Sequence, residues 1–215
     1  MALGGMMKGL LRGGRPAPGP LGLRIGTAIE LDPALLQQYG DHLWFTLPDD
    51  PLPFSAQGRI DFGDGSIALR FYTDQHEMLQ IICAGGEQDE HIQEVKLFVP
   101  LGSIYPEDEE WQEWESADSR LGQQTYTLDD GPEYQRDWFK DQTGRVDPVE
   151  FAEQVADGTS NPGDIIQQVM LYARTLEALP NCREYLLLSK EEHPDGRSVE
   201  AMLGIDLEPG MFRTI

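Results

Sequence analysis

The stretch NPGDIIQQVMLYARTLEALP, residues 161–180, decides the fold class. Asn161 can cap a helix, Pro162 suits its first turn, and Asp164 suits the positive end of the helix dipole. Ile165, Ile166, Val169, Tyr172, Ala173, Leu176 and Leu179 fall on one apolar face, and Pro180 ends the run. The spacing predicts a principal packing helix, and most of what surrounds it reads as strand. An α+β fold follows: a largely antiparallel sheet or open barrel, one principal packing helix and one or two short helices.

Working outward, residues 57–62 and 67–73 alternate apolar and polar, with Ile60 and Phe62 expected to face Ile67, Leu69 and Phe71 across the turn Gly63-Asp64-Gly65-Ser66. Residues 78–84 and 92–99 continue this as a meander, and 124–128 with 134–139 form a further pair about Asp129-Asp130-Gly131-Pro132. Near the start, Asp32 before Pro33 has the form of an N-cap, and residues 34–39 can supply a short helix that Gly40 closes. Asp147-Pro148-Val149-Glu150 reads either as a capped helix start or, through the alternation of Val149 and Phe151, as a strand. Residues 184–190 and 198–207 are strands joined through the turn residues His193-Pro194-Asp195-Gly196.

Charge is divided unevenly along the 215 residues. The first 29 hold Lys8, Arg12, Arg15 and Arg24 and no acid, a net +4, while residues 30–215 carry −26, for a total of −22. A body with so negative a field repels nucleic acid and favours a basic protein partner. The composition, 40% hydrophobic and 25% charged, is that of a folded domain, expected to span 23–215 after a flexible basic Gly/Pro-rich leader over 1–22. Cys83 and Cys182 lie far apart without a secretory leader, which fits free thiols in a reducing cytoplasm.

In the leader, Leu3, Met6, Met7, Leu10 and Leu11 follow helical spacing, and Lys8, Arg12 and Arg15 form a basic stripe. One reading is a membrane-binding helix against anionic lipid; the other is a plain disordered leader, because Gly4, Gly5, Gly9 and Gly13 each cost about 1 kcal/mol in a helix. Pro16, Pro18 and Pro20 then stiffen the connection to the body.

The densest acidic run is Glu107-Asp108-Glu109-Glu110-Trp111-Gln112-Glu113-Trp114-Glu115. A solvated face explains the acids. Trp111 and Trp114 share a face on a helix, and an aromatic face bordered by carboxylates suits an organic cation or an exposed Lys/Arg segment, although simple core packing would also use it. Asp64-Gly65 reads as turn chemistry rather than a calcium loop. His42, His76, His91 and His193 lack metal-ligand spacing, and neither cysteine sits in a nucleophile motif. No catalytic residue, metal or cofactor is expected.

Tyr134-Gln135-Arg136-Asp137-Trp138, Pro148-Val149-Glu150-Phe151, Met170-Leu171-Tyr172-Ala173-Arg174, Glu184-Tyr185-Leu186 and Gly204-Ile205-Asp206-Leu207 resemble the YjfK-like family, bacterial proteins of uncharacterised function. The likeness covers most of residues 25–210 and conveys no catalytic role. It implies a context: such proteins tend to be encoded beside phage-shock-type coat proteins, small membrane proteins and enzymes similar to ATP-dependent peptide or polyamine ligases. The expected function is a non-enzymatic binding or adaptor protein of the bacterial cytoplasm, peripheral at the inner membrane. Its acidic body would dock a basic partner, such as a phage-shock-type coat protein, through Glu107, Asp108, Glu109, Glu110, Trp111, Glu113, Trp114 and Glu115. The alternative is a binding protein or enzyme acting on a cationic metabolite such as a polyamine.

Overall fold

The computed structural model describes residues 19–157, 163–193 and 196–215. The amphipathic leader positions Leu3 to Arg15 with Pro16 and Pro18, the caps Asn161 and Pro162, and the turn residues Pro194 and Asp195 lie outside the described residues. In chain order the strands are β1 (Ala28–Leu31), β2 (Leu52–Pro53), β3 (Ala56–Asp61), β4 (Ser66–Tyr72), β5 (Met78–Ala84), β6 (Ile92–Ile104), β7 (Thr125–Thr127), β8 (Glu133–Arg136), β9 (Val149–Ala156), β10 (Gly163–Leu176), β11 (Leu179–His193), β12 (Gly196–Asp206) and β13 (Phe212–Thr214). The α-helices are α1 (Pro33–Tyr39) and α2 (Asp108–Glu115).

Eight strands run β11-β12-β6-β5-β4-β3-β9-β10, each antiparallel to the next, and β10 pairs back onto β11, so the sheet is a closed barrel. The short pair β7-β8 branches from β10 at Tyr172 and Ala173, and β13-β1-β2 form a separate small sheet.

This architecture corrects the α+β expectation: residues 163–176, read as the principal packing helix, are the strand β10. The physical reason is that residues 169–173 of β10 are buried on both faces. Val169, Leu171 and Ala173 pack inside the barrel with Met78, Phe98 and Leu187, while Met170 and Tyr172 pack outside with Leu121, Tyr134 and Leu186. A strand covered on both sides loses the polar/apolar alternation that marks a half-exposed one, and its apolar run can imitate helical spacing. Three of the apolar positions, Ile165, Ile166 and Val169, are β-branched and suit a pleated sheet.

Other elements stand as read. Asp32 Oδ1 accepts the Ala34 N–H at 2.7 Å, Pro33 opens α1, and Gly40 ends it at a φ of 39°. The ambiguous segment at Val149 is strand β9. The β3-β4 hairpin forms, but its facing differs: Ile60 stands opposite Ala68, and Ile67, Leu69 and Phe71 point away into the outer core. Phe62 lies beyond β3, exposed and edge-on to Phe151. Both cysteines are free thiols.

Two covers bury the outside of the barrel. The small sheet, α1 and the segments beside them place Leu23, Ile29, Leu35, Tyr39 and Phe54 over the outer residues of β4, β5 and β6. Leu121, Trp114, Tyr126, Leu128 and Val146, from the segment between β6 and β9, lie over β10, β11 and β12. No helix among the described residues is long and apolar enough to cross a membrane.

Candidate functional site

Because side chains alternate along each strand, every second residue of the barrel points inward. One end of the interior is filled. Lys96 is buried, its Nζ 2.6 Å from both Asp206 Oδ1 and Glu94 Oε2 and 4.2 Å from the Tyr185 ring centroid, while the Tyr185 hydroxyl donates to Asp206 Oδ2 at 2.7 Å. Trp138 packs against the apolar residues beside them. The other end opens into a chamber of about 560 Å³. An eight-strand barrel is just wide enough to be filled by side chains or to hold one small ligand, and this interior does the first at one end and leaves room for the second at the other.

The chamber is lined by apolar groups, among them Met78, Leu187, Met202, Val155 and Ile165, and by one buried polar network. Arg70 on β4 anchors the network: Nη1 donates to Glu153 Oε2 at 2.7 Å and to Gln167 Oε1 at 2.8 Å, and Nε donates to Gln80 Oε1 at 2.9 Å. Glu153 also accepts from the Tyr72 hydroxyl at 2.6 Å and from Gln167 Nε2 at 2.9 Å, and it is fully buried. Burial alone would lower the Arg70 pKa, but the Glu153 carboxylate and its neighbours outweigh this and raise it. Burial first, and Glu153 next, push the Tyr72 hydroxyl well above the ordinary tyrosine value. The network therefore presents a charged guanidinium and a neutral phenol at physiological pH. The Phe151 ring lies 5.4 Å from the guanidinium.

Toward the mouth the lining turns acidic and hydroxylic. Glu191 follows Leu187 outward along β11, and Glu200 precedes Met202 on β12. Ser189 Oγ donates to Glu191 Oε1 at 2.5 Å, and Ser103 donates to Glu200. Asp74 and His76, in the loop after β4, and the exposed Tyr105 complete the opening. Ser198, His193 and Glu191 converge there, but serine and carboxylate meet the same imidazole nitrogen, Nε2, at 3.2 and 3.3 Å. A serine relay places the acid on the opposite ring nitrogen, and Glu191 does not stand there.

The acidic run singled out in the sequence lies on α2, outside the barrel. Glu107 caps it and closes a reciprocal capping box with Glu110. Trp111 is 3% exposed, and its indole donates to Glu115 Oε1 at 3.0 Å. Its ring already carries the chain's own cations, with Lys190 Nζ at 4.7 Å and Arg197 Cζ at 5.3 Å from the centroid. Lys190 also pairs with Glu115 at 3.1 Å and Arg197 with Asp108 at 3.1 Å. Trp114 packs into the outer core beside β11. Glu107, Glu109, Glu110 and Glu113 remain exposed. The leader positions Leu3, Met6, Met7, Lys8, Leu10, Leu11, Arg12 and Arg15 lie outside the described residues.

A family described as "Protein of unknown function (DUF2491)" matches residues 6–213. The chain belongs to the DUF2491 family. It is 32% identical over 177 residues to "Uncharacterized protein YjfK" of Escherichia coli (strain K12), covering 82% of this chain and 79% of that one. No solved structure matches. The YjfK-like resemblance read from the sequence is thus shown.

The residues that carry the DUF2491 likeness can now be placed. Tyr134 donates to the buried Glu184, which also pairs with Arg174 Nε at 2.9 Å and accepts the Trp44 N–H at 2.7 Å. Arg136 donates to the carbonyls of Gly122, Phe139, Gln142 and Gly144. Trp138 and Tyr185 fill the closed end, and Phe151 lies beside Arg70. These positions build and close the barrel. The chamber network of Arg70, Tyr72, Gln80, Glu153 and Gln167 was missed in the sequence. The available signal was a polar side chain set between apolar neighbours in a strand, as Arg70 is between Leu69 and Phe71.

Proposed function

We propose that the protein is a non-enzymatic binding protein whose barrel holds a small organic molecule in the open chamber. The observation that carries this reading is a cavity of about 560 Å³ opening at one end of a barrel whose other end is filled. That volume falls within the range of about 300–1,000 Å³ typical of ligand sites, and the mostly apolar lining with a few fixed polar groups is their usual composition. The direct test is titration with the neutral fluorophore N-phenyl-1-naphthylamine. Bright, saturable fluorescence in the native chain that is lost in Ala56→Trp, which fills the chamber from β3, is the expected result. Equal fluorescence in both would remove the chamber from consideration.

A second reading is an adaptor in the bacterial cytoplasm near the inner membrane, docking a basic partner on the outer face of α2. It is supported by four exposed carboxylates there, Glu107, Glu109, Glu110 and Glu113, that form no ion pair among the described residues. Affinity for a fluorescent oligolysine that Glu109→Gln with Glu113→Gln leaves unchanged would count against it. Anionic liposome sedimentation, with and without residues 1–22, tests the lipid-binding leader in the same way.

A further inference from the structure

Arg70 lines the chamber and has one nitrogen, Nη2, with no hydrogen-bond partner among the described residues. Nε and Nη1 are taken by Gln80, Glu153 and Gln167, whereas Nη2 makes no hydrogen bond among the described residues. Arg70 is 4% exposed, and it lines the chamber. Nη2 is not among the buried side-chain atoms left without a partner, so it keeps a solvent-accessible surface, and an acceptor in the chamber can take the place of the water it meets there.

The chemistry of that acceptor is narrowed by charge. Glu153 already compensates the Arg70 cation at 2.7 Å, so the polar network is close to neutral as a unit. Besides Arg70, the lining carries the carboxyl side chains of Glu191, Glu200 and Asp74, with the imidazoles of His76 and His193 beside them and His193 Nε2 3.3 Å from Glu191, in a body that carries −26. A carboxylate or phosphate entering here would be repelled without gaining an uncompensated cation. An uncharged carbonyl or hydroxyl oxygen meets Nη2 without that penalty, and an ammonium group is attracted by the acids. Met78, Leu187, Met202, Val155 and Ile165 suit an alkyl body.

Resting on the chamber as the binding site, we propose that its ligand is a small amphipathic amine that also presents an uncharged oxygen acceptor. Its oxygen receives the Arg70 Nη2 hydrogen, its alkyl part lies against the methionines and Leu187, and its ammonium sits among Glu191, Glu200 and Asp74.

The test is displacement of N-phenyl-1-naphthylamine by four eight-carbon probes, octanol, octanoate, octylamine and 8-aminooctanamide, with calorimetric titration of each as a second measurement. The expected order is 8-aminooctanamide, then octylamine, then octanol, with octanoate weakest and each polar contact worth roughly tenfold in affinity. Arg70→Lys, which keeps the charge but lacks the forked nitrogen, should bring 8-aminooctanamide down to octylamine. Glu200→Gln lies outside the Arg70 network and should lower amine affinity several-fold while leaving octanol unchanged. Octanoate binding as well as octylamine, or no gain from the amide because water satisfies Nη2, overturns the inference. If octanol and the fluorophore bind while the series is flat, this inference fails and the chamber stands. If no probe binds by either measurement, both fall.

Discussion

Glu153 Oε1 occupies the space that a side chain on Gly58 would enter: a Cβ built there falls 1.6 Å from that oxygen. The missing side chain lets the carboxylate lie across β3 and reach Arg70 and Tyr72. Gly58→Ala must push Glu153 aside and leave a buried guanidinium without its partner. Breaking such a pair costs about 3–5 kcal/mol, and urea denaturation should show a loss of that size. A loss below about 1 kcal/mol, the scale of an ordinary substitution, would mean that Glu153 has another way to reach Arg70.

Trp111 behaves in this structure as a core residue with its own cations rather than as a docking face. Trp111→Ala should cost about 3–5 kcal/mol of stability, while Glu109→Gln, on the exposed side of α2, should stay within about 0.5 kcal/mol. Equilibrium unfolding of the two variants separates them. A stable Trp111→Ala protein that had lost a cationic partner would reverse the assignment.

Stability should decline at alkaline pH. Burial, the leading cause in each case, raises the pKa of Tyr72, Tyr134, Tyr172 and Tyr185, that of Tyr172 to about 12. A phenol that holds its proton more tightly when folded contributes its full stability below the unfolded value. It loses that contribution as pH rises through the folded value. Urea midpoints should therefore be flat up to about pH 10, the ordinary tyrosine value, and fall above it. Tyrosinate absorbance at 295 nm should rise together with unfolding, and Tyr172→Phe should flatten part of the slope. Tyrosinate absorbance in the folded chain at pH 10.5, about half a unit above that value, equal to that of the urea-unfolded chain at the same pH would contradict the buried hydroxyls.

Arg136 gathers four backbone carbonyls from residues 122–144 with one planar side chain. Lysine keeps the charge but cannot hold that spread geometry. Arg136→Lys should speed amide hydrogen exchange between residues 137 and 146 by at least tenfold, with β4, β5 and β6 unchanged. Uniform acceleration across the barrel would instead make Arg136 part of the global core.

What could be read from the sequence follows from how each strand is exposed. Asp32, Pro33 and Gly40 carry local signals that need no tertiary context, and α1 appears where they place it. The β3-β4 hairpin was legible from its turn, but its facing was not, since β4 is buried on both sides and Ile67, Leu69 and Phe71 belong to the outer cover. The same double burial made β10 imitate a helix. Glu107 to Glu115 form a helix as their spacing allowed, but Lys190 and Arg197, the cations over Trp111, come from strands more than seventy residues away. The chamber was illegible for a related reason: Arg70, Gln80, Glu153 and Gln167 lie on four strands and become one network only when the sheet closes.

Closure also sets the order in which this protein can assemble. Consecutive hairpins join β3 to β6 and β9 to β12 locally, but the two seams that complete the ring, β3 with β9 and β6 with β12, are long-range, and the second joins Lys96 to Asp206 across 110 residues. Loop-closure entropy delays such contacts, which predicts that the two four-strand meanders form before the ring closes. The chamber is lined from both halves of the barrel, so on that order a ligand held there would stabilise the finished ring alone. Such a ligand would slow unfolding while leaving the rate of folding untouched.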